Sequence, residues 1–315
     1  MFDLPLIRRN DPTTARFQSW SVPVPADDAE KLLAGAAAMD GPQPGEWWMI
    51  TVTDPGNTTV YGDVAVHLND SSSAAEIGCT FDPGHRGRGL ATEATRAVVD
   101  ALWGSYPGLR RVQATMHPDN MASARVVERL GFVFEGRTRL SYYRDDRLSG
   151  GDEECSDDLI YGLTRGDWIE WWARPIDRPA QVELVEITAR NQRAVRALAV
   201  HHSQDHLVAP VLESLADAQF PPVVDGYRVK PWMRAMYADA EPAGFVLMAE
   251  PAPIPPEPYL WRFLVDRRHQ GRGIGAAAMT EIVKQCRRSR GPVAFLIGHS
   301  APPGDGLCSR SWAAL

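Results

Sequence analysis

Three early stretches of the chain have the Val, Ile, Thr and aromatic content of β-strands: Trp47–Thr53 (WWMITVT), residues 59–68 (TVYGDVAVHL) and residues 75–81 (AEIGCTF). DPGN at residues 54–57 supplies a turn between the first two. From Arg88 the apolar period becomes helical, at Leu90, Ala94, Val98, Ala101 and Leu102. A strand over 111–115, a helix over 121–130 and strands near 132–139 and 159–163 follow. One helix leaves each central strand, which is an α/β plan.

At RPIDRPAQ, residues 174–181, prolines and charges interrupt both periods. The plan then restarts, with a strand at 182–188, a helix at 190–203 and strands at 243–250 and 259–266. PAPIPPEP, residues 251–258, is too proline-rich for anything but a loop. The expected organisation is a domain over 1–173, a linker over 174–181 and a second domain over 182–315. HRGRGLATEA at 85–94 returns as HQGRGIGAAA at 269–278, 184 positions later, each after a strand and opening a helix. A shared loop in a shared context implies an internal duplication, hence two domains of similar fold.

The composition changes this picture little. With 315 residues, 44% hydrophobic and 23% charged, the chain is long enough for two globular cores. A net charge of −7 argues against a general nucleic-acid binder and weakly favours cationic substrates such as amines. Cys79, Cys155, Cys286 and Cys308 are far apart, without metal-finger spacing, so a reducing, cytoplasmic setting is expected and no metal. The opening MFDLPLIRRNDPTT has no signal-peptide core, and no run of about 18 apolar residues marks a membrane span.

The candidate chemistry lies in the repeated loop. A strand, a short glycine turn and a helix start gather unpaired backbone N–H groups in one concavity, and the helix dipole adds partial positive charge. Such a place binds phosphate oxygens; glycines allow close approach and arginines add charge at the rim. A tight turn with solvated arginines is the plain alternative. G-x-x-x-x-G-K-[ST] is absent. Gly271, Gly273 and Ala276 loosely fit the dinucleotide pattern, without the acidic residue that pattern needs about twenty positions on.

RGRGLA (86–91) and QGRGIG (270–275) both fit [QR]-x-x-G-x-[GA], which resembles the acetyl-CoA pyrophosphate loop of the GCN5-related N-acetyltransferases. AEIGCTFDPGHRGRGLATEA followed by MHPDNMASARVVERLGFVFEG resembles the ribosomal-protein alanine acetyltransferase branch, over most of residues 15–165. ITARNQRAVRAL, APVLESLADA and YLWRFLVDRRHQGRGIGAAAM resemble diamine or spermine/spermidine acetyltransferases, over about 182–290.

The resemblance implies two mixed sheets, each with a pair of splayed parallel strands and flanking helices. It implies acetyl transfer from acetyl-CoA to a primary amine, on a protein N-terminus or a small molecule, and allows a homodimer. In the first domain it points to Cys79, Thr80, Phe81, Arg86, Gly87, Arg88, Gly89, Leu90, Ala91 and Asn120 as cofactor contacts. In the second it points to Phe263, Leu264, Val265, Gln270, Gly271, Arg272, Gly273, Ile274 and Gly275. A backbone N–H near residues 79–81 would hold the oxyanion.

Glu76 is the candidate base, against a structural sheet-face carboxylate, and Ser123 is placed near the reacting thiol. Asn120 and Ser123 also read as a helix N-cap and first turn. Tyr143 and Tyr161 read as packing residues rather than proton donors. The tryptophans at 168, 171 and 172 are expected at a domain junction, and GDEECSDD (151–158) is expected as a solvated loop.

In the second copy, subtracting 184 puts Leu260 at the Glu76 position, so the base is missing. Gly89 to Gly131 spans 42 residues, and the same span from Gly273 reaches residue 315. Two closing strands and a helix are therefore expected to be missing there. The first copy also reads as short of an opening strand and helix. The expected result is an active first domain and an incomplete second. Polyamine acetylation by the second domain, or a non-catalytic acetyl-CoA-binding module, is the alternative.

Overall fold

The computed structural model describes residues 9–18, 20, 22–145, 153–224, 226–250, 259–290, 295–297 and 311–313. The chain divides into two compact units, Met1–Ala173 and Arg174–Leu315.

Among the described residues, α1 (Pro12–Ala15) and α2 (Ala26–Ala37) precede the first strand, and α1 falls where the sequence reading expected little regular structure. Asp11 starts α1 as an N-cap, its carboxylate accepting from the Thr14 N–H at 2.7 Å, with Pro12 at the first helical position. The strands β1 (Trp47–Thr53), β2 (Val60–Leu68), β3 (Ala74–Phe81), β4 (Arg111–Met116), β5 (Val133–Asp145) and β6 (Glu153–Thr164) form a sheet in the order β1-β2-β3-β4-β6-β5. Only β3 and β4 pair in parallel, and α3 (Leu90–Ser105) makes the crossover between them. That pairing covers Ala74↔Arg111 to Glu76↔Gln113 and stops. Ile77 to Phe81 have no β4 partner, so the two strands part just past Glu76.

The core lies on the α3 side of the sheet, where Val66, Ala75 and Ile77 pack against Val99 and Leu102. The buried stripe of α3 is Thr95, Val99, Leu102 and Trp103; of the expected positions Val98 packs at the margin of the core and Ala101 is exposed. After β4 comes α4 (Met121–Arg129), and α5 (Arg165–Ala173) closes the unit.

The tryptophans of α5 pack within this domain. Trp168 Nε1 donates to Asp100 at 3.0 Å, and Trp171 Nε1 donates to the Arg129 carbonyl at 3.0 Å. Gly131 turns at φ 88° directly under Trp171; a Cβ there would stand 2.5 Å from the indole. Residues 153–158 are strand and not a solvated loop. Asp157 accepts from Arg137 Nε at 2.6 Å and Asp158 accepts from the Ser141 hydroxyl at 2.8 Å.

The second unit repeats the plan with β7 (Val182–Val185), α6 (Gln192–Arg196), α7 (Val211–Gln219), a small hairpin of β8 (Val223–Val224) and β9 (Tyr227–Arg228), β10 (Lys230–Ala238), β11 (Glu241–Glu250), β12 (Tyr259–Val265), α8 (Ile274–Arg290), β13 (Phe295–Ile297) and β14 (Ser311–Ala313). Its sheet runs β14-β13-β12-β11-β10-β7, and β12–β13 is the parallel pair.

The single helix expected over 190–203 is broken. α6 ends at Arg196, because the backbone of Ala199 is drawn to the strand end. Its N–H donates to Asp266 at 2.9 Å, and its carbonyl accepts from the Arg267 N–H at 2.9 Å. β7 stops at Val185 because Asn191 folds back, donating to the Glu186 carbonyl at 2.9 Å. One of the two closing strands expected to be missing is present: β14 lies antiparallel to β13, as β6 does to β4. The proline-rich 251–258 and residues 298–310 lie outside the described residues.

Candidate functional site

In the first unit the stretch from Asp82 to Gly89 is built by its own side chains. Asp82 accepts from the Gly84 N–H at 2.8 Å and starts a single 3-10 turn, Pro83–His85. Gly87 and Gly89 follow at φ 74° and 84°, a backbone region open to glycine and strained for other residues. Gly89 is the N-cap of α3 and offers no side-chain acceptor, so the first N–H groups of the helix face outward without a protein cap. A Cβ at Gly87 or Gly89 would meet nothing within 4 Å. The concavity the sequence predicts is therefore open.

A cleft of about 410 Å³ lies in front of this loop. Cys79, Thr80 and Phe81 of β3 line it, with Arg86, Gly87, Gly89, Leu90 and Ala91 of the loop and Asn120 and Ser123 of α4. Asn120 caps α4 by accepting from the Ser123 N–H at 3.2 Å, so the capping and cleft-lining roles coexist. Arg88 is exposed and does not line the cleft. Arg86 is a staple: its Nε donates to the Phe81 carbonyl at 3.0 Å and its Nη2 to the Thr14 hydroxyl at 2.7 Å.

That second bond introduces a wall the sequence reading missed. Thr13, Thr14, Phe17 and Gln18 also line the cleft, and the Tyr142 hydroxyl donates to the Gln18 carbonyl at 2.7 Å. The Asp11-Pro12 helix start was the available signal. Burial pushes the Cys79 thiol up to about 11, with the Thr95 side chain opposing and the Asp63 carboxylate adding, so the cleft holds a neutral thiol at pH 7.

Glu76 is outside the cleft lining, half-buried at the last paired position of β3 with β4, where Gln113 Nε2 donates to it at 3.4 Å. Gly78, two residues on and on the same face, is exposed, with open space where a Cβ would stand. Tyr161 is fully buried and its hydroxyl donates to Glu128 at 3.2 Å, as a packing residue. The Tyr143 side chain lies outside the described residues.

The second loop has the same backbone. Gly271 and Gly273 take φ 79° and 77°, and Asp266 accepts from the Arg268 N–H at 2.9 Å, as Asp82 does from Gly84. Gln270 replaces Arg86 as staple: its Nε2 donates to the Val265 carbonyl at 3.1 Å and to Gln204 at 2.8 Å. Ile274 and Leu264 are buried, Phe263 and Val265 half-buried, and Phe263 packs under Gly275.

Arg272 is buried, unlike Arg88. Its Nε donates to the Asp177 carbonyl at 2.8 Å and its Nη1 to His269 Nδ1 at 2.7 Å. Burial holds the His269 pKa below its ordinary value and Arg272 pushes the same way, so the ring is neutral and accepts.

The structure corrects the counterpart of Glu76. β12 carries one extra residue at Trp261, because Leu247 faces Arg262 while Met248 faces Leu260. This bulge rotates the start of the strand. Leu260 packs against Ile282 of α8, as Ile77 packs on the α3 side. Tyr259, on the opposite face, takes the Glu76 place, opposite Ala249 in β11 as Glu76 is opposite His67 in β2. Arg262, 4% exposed, takes the place of Gly78.

Two family models match the chain. The family model "Acetyltransferase (GNAT) domain" matches residues 3–133, and "Acetyltransferase (GNAT) family" matches residues 209–299. Among curated relatives, the probable N-acetyltransferase YjcK of Bacillus subtilis is 43% identical over 72 residues, 23% of this chain and 39% of the relative. The uncharacterized N-acetyltransferase YnaD of Bacillus subtilis is 36% identical over 93 residues, 30% of this chain and 50% of the relative. The chain thus spans half or less of either relative's length.

Solved structures include the spermidine N-acetyltransferase of Vibrio cholerae in complex with CoA and spermine. It is 15% identical, with a TM-score of 0.44, over 53% of this chain and 92% of that one. RimL, a ribosomal L7/L12 alpha-N-protein acetyltransferase in complex with coenzyme A, is 19% identical, with a TM-score of 0.41, over 50% of this chain and 84% of that one.

Proposed function

Because this chain belongs to the GNAT acetyltransferase family, with two of its domains in tandem, we propose that the first domain transfers an acetyl group from acetyl-CoA to a primary amine of a protein N-terminus or a small molecule. The observation that carries this reading is the open, uncapped glycine loop at one end of a cleft whose floor is the parted strand β3. The loop N–H groups of residues 87–91 suit a pyrophosphate, and the helix dipole of α3 favours its charge. The edge of β3 past Glu76 has free backbone groups on the β4 side, to which an extended amide arm adds like a strand.

An N–H in that stretch polarises the thioester carbonyl and holds the oxyanion that forms when nitrogen attacks carbon. Only a neutral amine attacks, so a base takes its proton. Glu76 stands at the fork of β3 and β4, beside the open face at Gly78, and takes it directly or through water. The collapse then expels the thiol of coenzyme A. Asn120 and Ser123 border the arm from α4.

The test is calorimetric titration of the chain with acetyl-CoA, followed by a thiol-release assay over primary amines and N-terminal peptides. Binding with amine-dependent thiol release is expected. No acetyl-CoA binding at residues 87–91 would overturn the reading.

A further inference from the structure

We propose that the second domain holds its own ligand site shut, with the segment after Ala173 as a strap on the glycine loop and Arg262 as a plug in the strand beside it. This rests on reading the first loop as an acetyl-CoA site. The two loops have the same positive φ at both glycines, so the difference lies in their arginines and in what holds them. In the first copy Arg88 is exposed and the space over Gly87 and Gly89 is open, so the arginine is free to meet a phosphate. In the second, Arg272 is 6% exposed, with its Nε donating to the Asp177 carbonyl and its Nη1 to His269. The next strap residue brings the Arg178 Nε to 3.9 Å from where a Cβ of Gly273 would stand. An arriving pyrophosphate therefore meets a loop whose glycines are exposed but whose arginine is held inward by the strap.

The second closure lies on β12. Gly78 leaves open space in the parted stretch of β3, and its counterpart Arg262 fills that space from within. Its Nη2 donates to Asp217 of α7 at 3.4 Å and its Nη1 to the Trp261 carbonyl at 3.1 Å. A buried guanidinium there, paired with Asp217, blocks the path of a thioester arm. Tyr259 in the Glu76 place supplies no carboxylate base. Strap and plug belong to different elements and are independent observations for one closed site.

Hydrogen exchange of the full chain, with and without acetyl-CoA, reads the two loops separately. Peptides over 87–91 should slow by about tenfold on adding acetyl-CoA, while peptides over 271–275 keep their rate. Slowing at 271–275 in the unaltered chain overturns the closed site, whatever the first loop does. Absence of slowing at 87–91 overturns the acetyl-CoA reading of the first domain instead.

An opened chain, with residues 175–179 replaced by glycine and serine and with Arg262→Gly, should gain slowing at 271–275. Peptides over 230–250 report whether its second domain remains folded. A folded opened chain whose second loop stays blind to acetyl-CoA overturns the strap and the plug as the cause.

Discussion

The loops at 85–91 and 269–275 differ mainly in how their arginines, Arg88 and Arg272, are placed. Both glycine pairs sit at φ between 74° and 84°, and both staples reach the carbonyl of the last strand residue, Phe81 or Val265. Arg88 of the first loop is exposed, whereas Arg272 of the second is buried and donates to the Asp177 carbonyl. The backbone turn is thus kept while the side chains that hold its arginine change. The turn joins a strand to a helix in both domains, which preserves it for stability alone. Whether such a loop binds is decided by its neighbours.

The largest expected effect tests the strand position at which the domains part ways chemically. Glu76→Gln should lower kcat by about 100-fold or more while leaving the acetyl-CoA Kd unchanged, since a general base contributes on that order. An unchanged kcat would remove Glu76 from the mechanism and its contrast with Tyr259. Next, Gly89→Val puts a β-branched residue at φ 84°, with strain of about 1–3 kcal/mol. It should weaken acetyl-CoA binding about 10-fold or more by calorimetry. Gly273→Val carries the same strain at φ 77°, and there the strain should register as a lower melting temperature of the second domain.

Asn120→Ala removes a cap worth about 1 kcal/mol, lowering the first domain's melting temperature by a few degrees, with Asn120→Asp restoring it.

A smaller effect separates the domains by pH. His269 is surrounded by Asp266, Arg272, Glu241 and Arg268, and its pKa is lowered in the folded chain. The folded form therefore binds this proton less readily than the unfolded one. Its contribution to stability is present above the ordinary value of 6.5 and is lost as pH falls through the lowered value. The second domain should melt earlier on acidification from pH 7 to 5, and His269→Gln should flatten that dependence. An equal slope in the variant would show that His269 is not the group responsible.

The smallest effect is expected for Arg86→Gln, which installs the second copy's staple in the first. Acetyl-CoA affinity should change by less than about threefold, because the glutamine reaches the same carbonyl. A large loss would mean that the Arg86 charge meets the phosphate directly.

The strands around the first loop were legible because WWMITVT, TVYGDVAVHL and AEIGCTF carry strand residues between turn signals, and β1, β2 and β3 lie there with ends shifted by one residue at most. The helix over 190–203 was misread because propensity cannot see Asp266 capturing Ala199 from across the chain. The Glu76 counterpart was misassigned by one residue because a bulge inserts a position without leaving a local signal at Trp261. The wall at Thr13–Gln18 was missed because its role depends on Arg86, 72 positions away from Thr14.

By itself the sequence determined the α/β plan, the family, the duplication and the two glycine turns, because these follow from local periodicity and from residues that only certain backbone angles accept. Tertiary structure alone decided that β3 and β4 part at Glu76, that Arg86 is a staple, that the acidic 153–158 is strand paired with β5, and that Arg272 is buried and bonded to Asp177. Each of these depends on what a side chain meets far along the chain, and a local pattern carries no record of that meeting.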